Sequence, residues 1–280
     1  MLLKSCLRPL LSGGMLGLML AFPQNSAEAA LQALQIFSAS VLPSLFPFTA
    51  CMLLFTAGRT VPLPLLMILS YLGGSPSGAR LFVQASIDRP AARRIARMTG
   101  TMSPMFFLGT MAVWLQNATA SFLLLFCHLM SAVILCFPLS TSKKKQRISL
   151  PPLSFGDALQ QSAFAMLTVG GCIVLGSVAA RMIACLLPQL PGLPLSILQS
   201  LLEVTSGSKI LIALNPPLLL PLLSAFTSFS GLSILLQNGA YWKKHGVSLF
   251  RLLLYGLLRA GIAFLLCFII LLCHSAAFAV

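Results

Sequence analysis

Apolar residues run along this chain in long blocks. Residues 10–22, 122–138, 163–187, 218–226 and 249–273 carry very few charges. Several of these blocks reach the roughly 20 residues that take a helix across about 30 Å of hydrocarbon. In lipid the backbone polar groups must be satisfied within the segment, which makes helices the default spanning element. The short alternating segments of a membrane barrel are absent. The pattern therefore predicts an all-α polytopic membrane protein, a single transmembrane domain over residues 1–280.

Basic residues collect between the blocks: Lys4 and Arg8; Arg89, Arg93, Arg94 and Arg97; Lys143, Lys144, Lys145 and Arg147; Lys243, Lys244 and Arg251. Placing each cluster on the inner face orients the chain. Residues 1–30 form an extra N-terminal helix followed by a loop over 23–28. The same stretch also fits a signal peptide, with Lys4 and Arg8 before an apolar run and a small-residue site at 26–30. Gly13 and Gly17 give a GxxxG face suited to close helix packing. A second helix, about 30–58, is expected to kink at Pro43 and Pro47.

Residues 61–72 are apolar but too short to span, and they run into Gly73, Gly74, Pro76 and Gly78. An arginine-rich loop at 89–97 follows, so the segment reads as a re-entrant hairpin. Residues 98–118, broken at Gly100 and Pro104, cross next, and 122–139 crosses back. A cytoplasmic linker covers 143–159, with Asp157 as a helix N-cap. Residues 159–187 then cross, 195–214 are broken at 203–208, 218–237 are broken at 228–231, and 247–273 cross last. Residues 31–139 and 160–274 thus share one order: helix, broken hairpin, broken crossing helix, helix. Each half has an odd number of crossings, so the repeats are inverted. The total is about seven full crossings plus two hairpins, an architecture of secondary transporters.

Composition narrows the function. Apolar residues make up 58% of the chain and charged residues 8%, against about 25% charged in soluble domains. The formal net charge of +14 lies in the membrane-flanking clusters, without the aromatic interleaving of a nucleic-acid surface, so no nucleic-acid partner is expected. The eight cysteines show no CxxC spacing and no histidine at zinc spacing. No metal, cofactor or catalytic residue is expected. Nucleotide-binding loops, nucleophile elbows and paired carboxylates are all missing, which excludes the common enzyme classes. His128 in its apolar run reads as a packed residue.

Four stretches resemble one family. They are Val41-Leu42-Pro43-Ser44-Leu45-Phe46-Pro47-Phe48, Gly74-Ser75-Pro76-Ser77-Gly78-Ala79-Arg80, Ser103-Pro104-Met105-Phe106-Phe107-Leu108-Gly109, and the later pair Glu203-Val204-Thr205-Ser206-Gly207 and 229–237. In this order they resemble the YlbJ-type sporulation integral membrane proteins, which carry the nucleoside-recognition Gate domain. Ser75 stands where that family usually has an aromatic residue, Ser230 where it has a glycine, and Thr101 where Asn is common. The resemblance implies a role in endospore formation at the cell or forespore membrane. It also implies transport of a small anion such as dipicolinate, and distant similarity to nucleoside transporters.

Helix breaks at membrane depth are tolerated only where they are buried or line a wet cavity. Half-helix N-termini there attract carboxylates. The expected substrate-binding residues are Ser75, Ser77, Gly78, Thr101 and Ser103 in the first half, and Glu203, Thr205, Ser206, Gly207, Ser230 and Gln237 in the second. Arg259 joins them because a charge deep in a membrane helix is functional by default. It either pairs with Glu203 or binds the anion, and Glu203 alternatively neutralises Lys209 or takes up a coupling ion. Arg181 is expected to snorkel outward. Gln116-Asn117 and Gln237-Asn238 are expected to end the two broken helices in equivalent places. The expected function is secondary transport or facilitated passage of a small organic anion in the lipid bilayer, with a coupling ion or a partner membrane protein left open. The alternatives are a non-transporting sporulation scaffold and a nucleoside carrier that stacks its base on Phe82, Phe106 or Phe229.

Overall fold

Proline and glycine set most of the element boundaries. The computed structural model describes residues 2–75, 77–83, 89–98, 101–136 and 147–274. Helix α1 (Leu2–Ala21) stops at Phe22, and α2 (Pro23–Ile36) starts at once with Pro23 in its first turn. The loop expected at 23–28 is thus helical, since proline's fixed φ and missing N–H suit a first turn. Space is open around Gly13 and Gly17, so the GxxxG face packs on nothing among the described residues. A π-helical turn (Phe37–Val41) leads into α3 (Leu42–Thr56), where Pro47 sits inside the helix. The kink expected from Pro43 and Pro47 is realised as this π turn, the wider ring that absorbs a lost i to i−4 bond.

Strand β1 (Thr60–Pro62) pairs antiparallel with β2 (Arg147–Ser149), register Val61 to Ile148. The hydrophobic pattern does not signal strands this short. They tie the end of α3 to the chain entering the second half. Helix α4 (Leu63–Gly73) and the short α5 (Ser77–Val83) follow. The arginine-rich stretch expected as a loop is helix α6 (Arg89–Met98). It buries Ala92, Ile95 and Ala96, the i, i+3, i+4 spacing of an amphipathic face. A second π turn (Phe106–Met111) and α7 (Ala112–Leu115) lead to α8 (Ala118–Cys136). Lys143, Lys144 and Lys145 lie outside the described residues.

Helix α9 (Phe155–Leu186) opens on a capping box. The Ser154 hydroxyl accepts the Asp157 N–H at 3.1 Å, and the Asp157 carboxylate accepts the Ser154 N–H at 3.1 Å. Ser154, not Asp157, is therefore the N-cap, and Asp157 reciprocates from the third helical position. Ser154→Ala should lower the thermal midpoint in detergent by about 2 °C, and Ser154→Asp should restore it.

The second half continues with α10 (Gly192–Leu202), α11 (Val204–Leu214), α12 (Leu219–Phe229), α13 (Gly231–Trp242) and α14 (Leu249–His274). Among the described residues, five helical stretches are long and apolar enough to cross a membrane: Pro23–Thr56, Ala118–Cys136, Phe155–Leu186, Leu219–Gly239 and Leu249–Cys273. On their outer faces Phe164, Leu167, Leu175 and Leu265 are 57–68% exposed, which suits lipid and not water. The chain is an all-α polytopic membrane protein.

The halves pack reciprocally. Helices α2 and α3 lie on α9, and α8 lies on α14. In the same way α5 of the first hairpin packs on α13, and α11 of the second hairpin packs near α7.

Candidate functional site

Helices α10 and α11 have 11 residues each, or about 16 Å, half the hydrocarbon thickness. They fold back on one another at a single residue, Glu203. The break is narrower than the expected 203–208, because residues 204–208 already form the first turns of α11. Close approach is possible because Gly207 lies on Ser200: a Cβ there would fall on the Ser200 backbone. Glu203 is 1% exposed. Its Oε1 accepts the Thr205 N–H at 2.9 Å and its Oε2 the Ser206 N–H at 2.6 Å. It thus caps α11 and pairs with neither Arg259 nor Lys209; the Lys209 ammonium lies 5.9 Å from the Trp114 ring centre. Gly176 of α9 makes room for it, since a Cβ at Gly176 would come 2.7 Å from the Glu203 Cβ.

The first-half break is built from different parts. A Cβ at Gly78 would fall on the Ser70 carbonyl, and the Ser70 hydroxyl donates to the Gly78 carbonyl at 2.7 Å. Gly74 has φ +62°, and a Cβ there would sit 2.7 Å from the Ser103 nitrogen. The Ser75 N–H donates to the Thr101 carbonyl at 2.9 Å, and its hydroxyl donates to Asn238 Oδ1 at 2.9 Å. The Ser103 hydroxyl donates to the Leu72 carbonyl at 2.8 Å and accepts the Met105 N–H at 3.2 Å. Ser75 therefore joins the first break to α13 of the second half. The Ser77 side chain lies outside the described residues.

These breaks meet around one small cavity of about 30 Å³. Its wall includes Ser75, Thr101, Ser103, Thr205 and Gln237 from the expected set, together with Ser233, Phe106 and Cys172. Three polar atoms on this wall are buried without a hydrogen-bond partner among the described residues: Thr101 Oγ1, Ser233 Oγ and Gln237 Nε2. Leaving a buried polar group unpaired costs about 1–3 kcal/mol. Three such atoms, contributed by both halves, lie at this one cavity. Gln237 and Asn238 lie within α13 and not at its end. Gln116, by contrast, closes α7 in a left-handed conformation, and Asn117 Oδ1 accepts the Ala120 N–H at 2.9 Å. The expected equivalence of the two pairs does not hold.

Other expected residues stand back from the cavity. Ser230, at φ +74°, turns α12 into α13 and donates to the Thr227 carbonyl at 3.3 Å. Ser206 pairs with Ser177, hydroxyl to hydroxyl at 2.6 Å. Arg259 is 1% exposed and its Nη1 donates to the Arg97 carbonyl at 3.0 Å. Around it lies a second buried polar group. His128 bonds Ser228 Oγ at 3.0 Å and packs 5.7 Å from Tyr71, ring to ring. Arg259 acts electrostatically on both His128 and Tyr71, and Tyr71 neighbours Thr101. The guanidinium thus stands one layer behind the cavity wall. Sequence reading placed His128 as a packed residue and gave no role to Tyr71, whose apolar surroundings carry no local signal.

Of the three aromatic residues considered for stacking, Phe106 lines the cavity. Phe82 stacks on Trp242 at 5.9 Å, and Phe229 packs on Gly256. Arg181 lies 3.9 Å from Glu28, both partly exposed. No group of three or more His, Cys, Asp or Glu side chains suited to a metal occurs among the described residues.

No family model matches the chain, and no solved structure matches it. Among curated proteins, the sporulation integral membrane protein YlbJ of Bacillus subtilis (strain 168) is 26% identical over 288 residues, covering 78% of this chain and 71% of that protein.

Proposed function

As a member of the YlbJ-type family of integral membrane proteins, this chain is, we propose, a secondary carrier or facilitator of a small organic anion of the dipicolinate kind during endospore formation. The observation that carries this reading is the convergence of Thr101 Oγ1, Ser233 Oγ and Gln237 Nε2, all without a partner among the described residues, on a cavity formed where broken helices of both halves meet. Hydroxyl and amide N–H donors suit a carboxylate, and the buried Arg259 behind Thr101 gives the cavity a positive field. The reciprocal packing of hairpins and broken helices supports reading the halves as inverted repeats that rock about this point. A cavity of about 30 Å³ admits water-sized groups. The bound form therefore requires the half-helices to part. One-sided stacking by Phe106 favours a compact anion over a nucleoside.

Gln237→Leu tests the reading. The Gln237 amide nitrogen has no partner among the described residues, so an apolar side chain of similar size should hold or raise the thermal midpoint. Uptake of dipicolinate by the protein in liposomes should fall about tenfold or more, the loss of a hydrogen bond to a charged ligand. Unchanged uptake in the variant would remove the cavity from the path. No uptake by the unaltered protein would overturn the carrier reading.

A further inference from the structure

A second, larger cavity of about 490 Å³ lies between α2, α9 and the hairpin α10–α11. Its wall holds two cations, Arg181 and Lys209, and three amides, Gln32, Gln35 and Gln199. Glu28 stands 3.9 Å from Arg181, so one carboxylate faces two cations. Amide and ammonium groups on membrane helices are costly against lipid and turn to water-filled spaces. The hairpin places this cavity relative to the first one. Lys209 is six residues, about 9 Å, from the tip at Glu203. Arg181 is five residues from the end of α9 at Leu186. The cavity thus runs from the surface at the end of α9 down to the first turn of α11.

The two cavities lie back to back on that turn. Thr205 lines the small cavity and Ser206 the large one. The backbone N–H groups of both are held by the Glu203 carboxylate. The floor of the large cavity is the hydroxyl pair Ser177–Ser206, at 2.6 Å. The apolar wall of the small cavity comes from two core clusters, Val41, Leu45, Val169 and Ile173 of one and Met102 and Phe106 of the other. We propose that the large cavity is a vestibule that collects carboxylate-bearing solutes through Arg181 and Lys209, and that the first turn of α11 with its Ser177–Ser206 bond is the gate to the inner cavity. The proposal rests on the carrier reading for its solute, while its electrostatics is testable without transport. Fields focused in a low-dielectric cleft raise the local concentration of counter-charged solutes tenfold or more.

The test uses the full chain in phosphatidylcholine vesicles with Gln35→Cys. External methanethiosulfonate reagents, the anionic ethylsulfonate and the cationic trimethylammonium, are each scaled to their rates with a small free thiol and corrected for the reaction of the parent chain. The anionic reagent should react about tenfold faster than the cationic one. The preference should vanish in R181Q/K209Q and survive in R181K/K209R, which keeps the charges. An equal or cationic preference in the parental charge background would overturn the vestibule. So would a preference that disappears when phosphatidylglycerol is added, because lipid headgroups would then own the cations. Dipicolinate uptake separates the two readings. If the carrier reading holds, R181Q/K209Q raises KM about tenfold with kcat unchanged. An anionic preference without any uptake by the unaltered protein would refute the carrier reading and leave the vestibule standing.

Discussion

Gly207→Val is expected to destabilise the protein by about 3 kcal/mol or more and to lower its thermal midpoint in detergent accordingly. The reason is steric and local. The position touches the Ser200 backbone across the hairpin, where even a Cβ has no room. A flexible side chain can move aside, whereas two helix backbones can only separate. Separation would pull α11 from Glu203, which caps it, and from α12, on which it packs. Gly171→Ala is the matching control. It lies on a helix with nothing within 4 Å of a new Cβ, so it should be neutral or stabilising by about 0.5–1 kcal/mol. Gly207→Val at the parental midpoint would mean that α10 and α11 do not pack this closely.

The long apolar blocks made α8, α9 and α14 legible to within a few residues, because hydrophobic length is a local property. The breaks at Glu203 and Ser230 were legible too, since polar and small residues interrupt otherwise apolar runs. What failed was whatever rests on contacts between distant segments. Arg259 Nη1 meets the Arg97 carbonyl across 162 residues, and no spacing rule favours that over Glu203. Arginine density suggested a loop for residues 89–97, while the buried Ala92, Ile95 and Ala96 make it a helix. Four of the five cavity residues anticipated from the breaks, Ser75, Thr101, Ser103 and Thr205, came from one physical rule, that broken backbone at depth attracts hydroxyls. Ser233, on the helix after the second break, lines the cavity as well. Gln237 was placed at a helix end when it lies inside α13. Tyr71 and the amides of the large cavity were missed, because a lone polar residue in an apolar helix does not say which neighbour it faces.

Glu203→Ala carries the second large expected effect, and it separates two roles for one carboxylate. A free N-terminus of α11 was the expected anion site, but the protein's own carboxylate fills it, with Oε1 and Oε2 on two successive N–H groups. On the proposed carrier reading, a substrate carboxylate would then be met by Thr101, Ser233 and Gln237, in the field of Arg259. Truncation to alanine strands two buried N–H donors at about 1–3 kcal/mol each, so a loss of about 3 kcal/mol is expected. Glu203→Asp should recover most of it, since a shorter carboxylate also reaches the N–H groups of a helix first turn. Glu203→Gln should fall between, because one acceptor is replaced by a donor that faces an N–H. Thermal unfolding of the three variants in one detergent measures the series. Dipicolinate uptake by Glu203→Asp should stay close to that of the parent, because a cap serves the site by holding the first turn of α11 in place. The opposite pattern, with Glu203→Ala as stable as the parent and uptake abolished in all three, would overturn the capping role and make Glu203 a direct site for a coupling proton or cation.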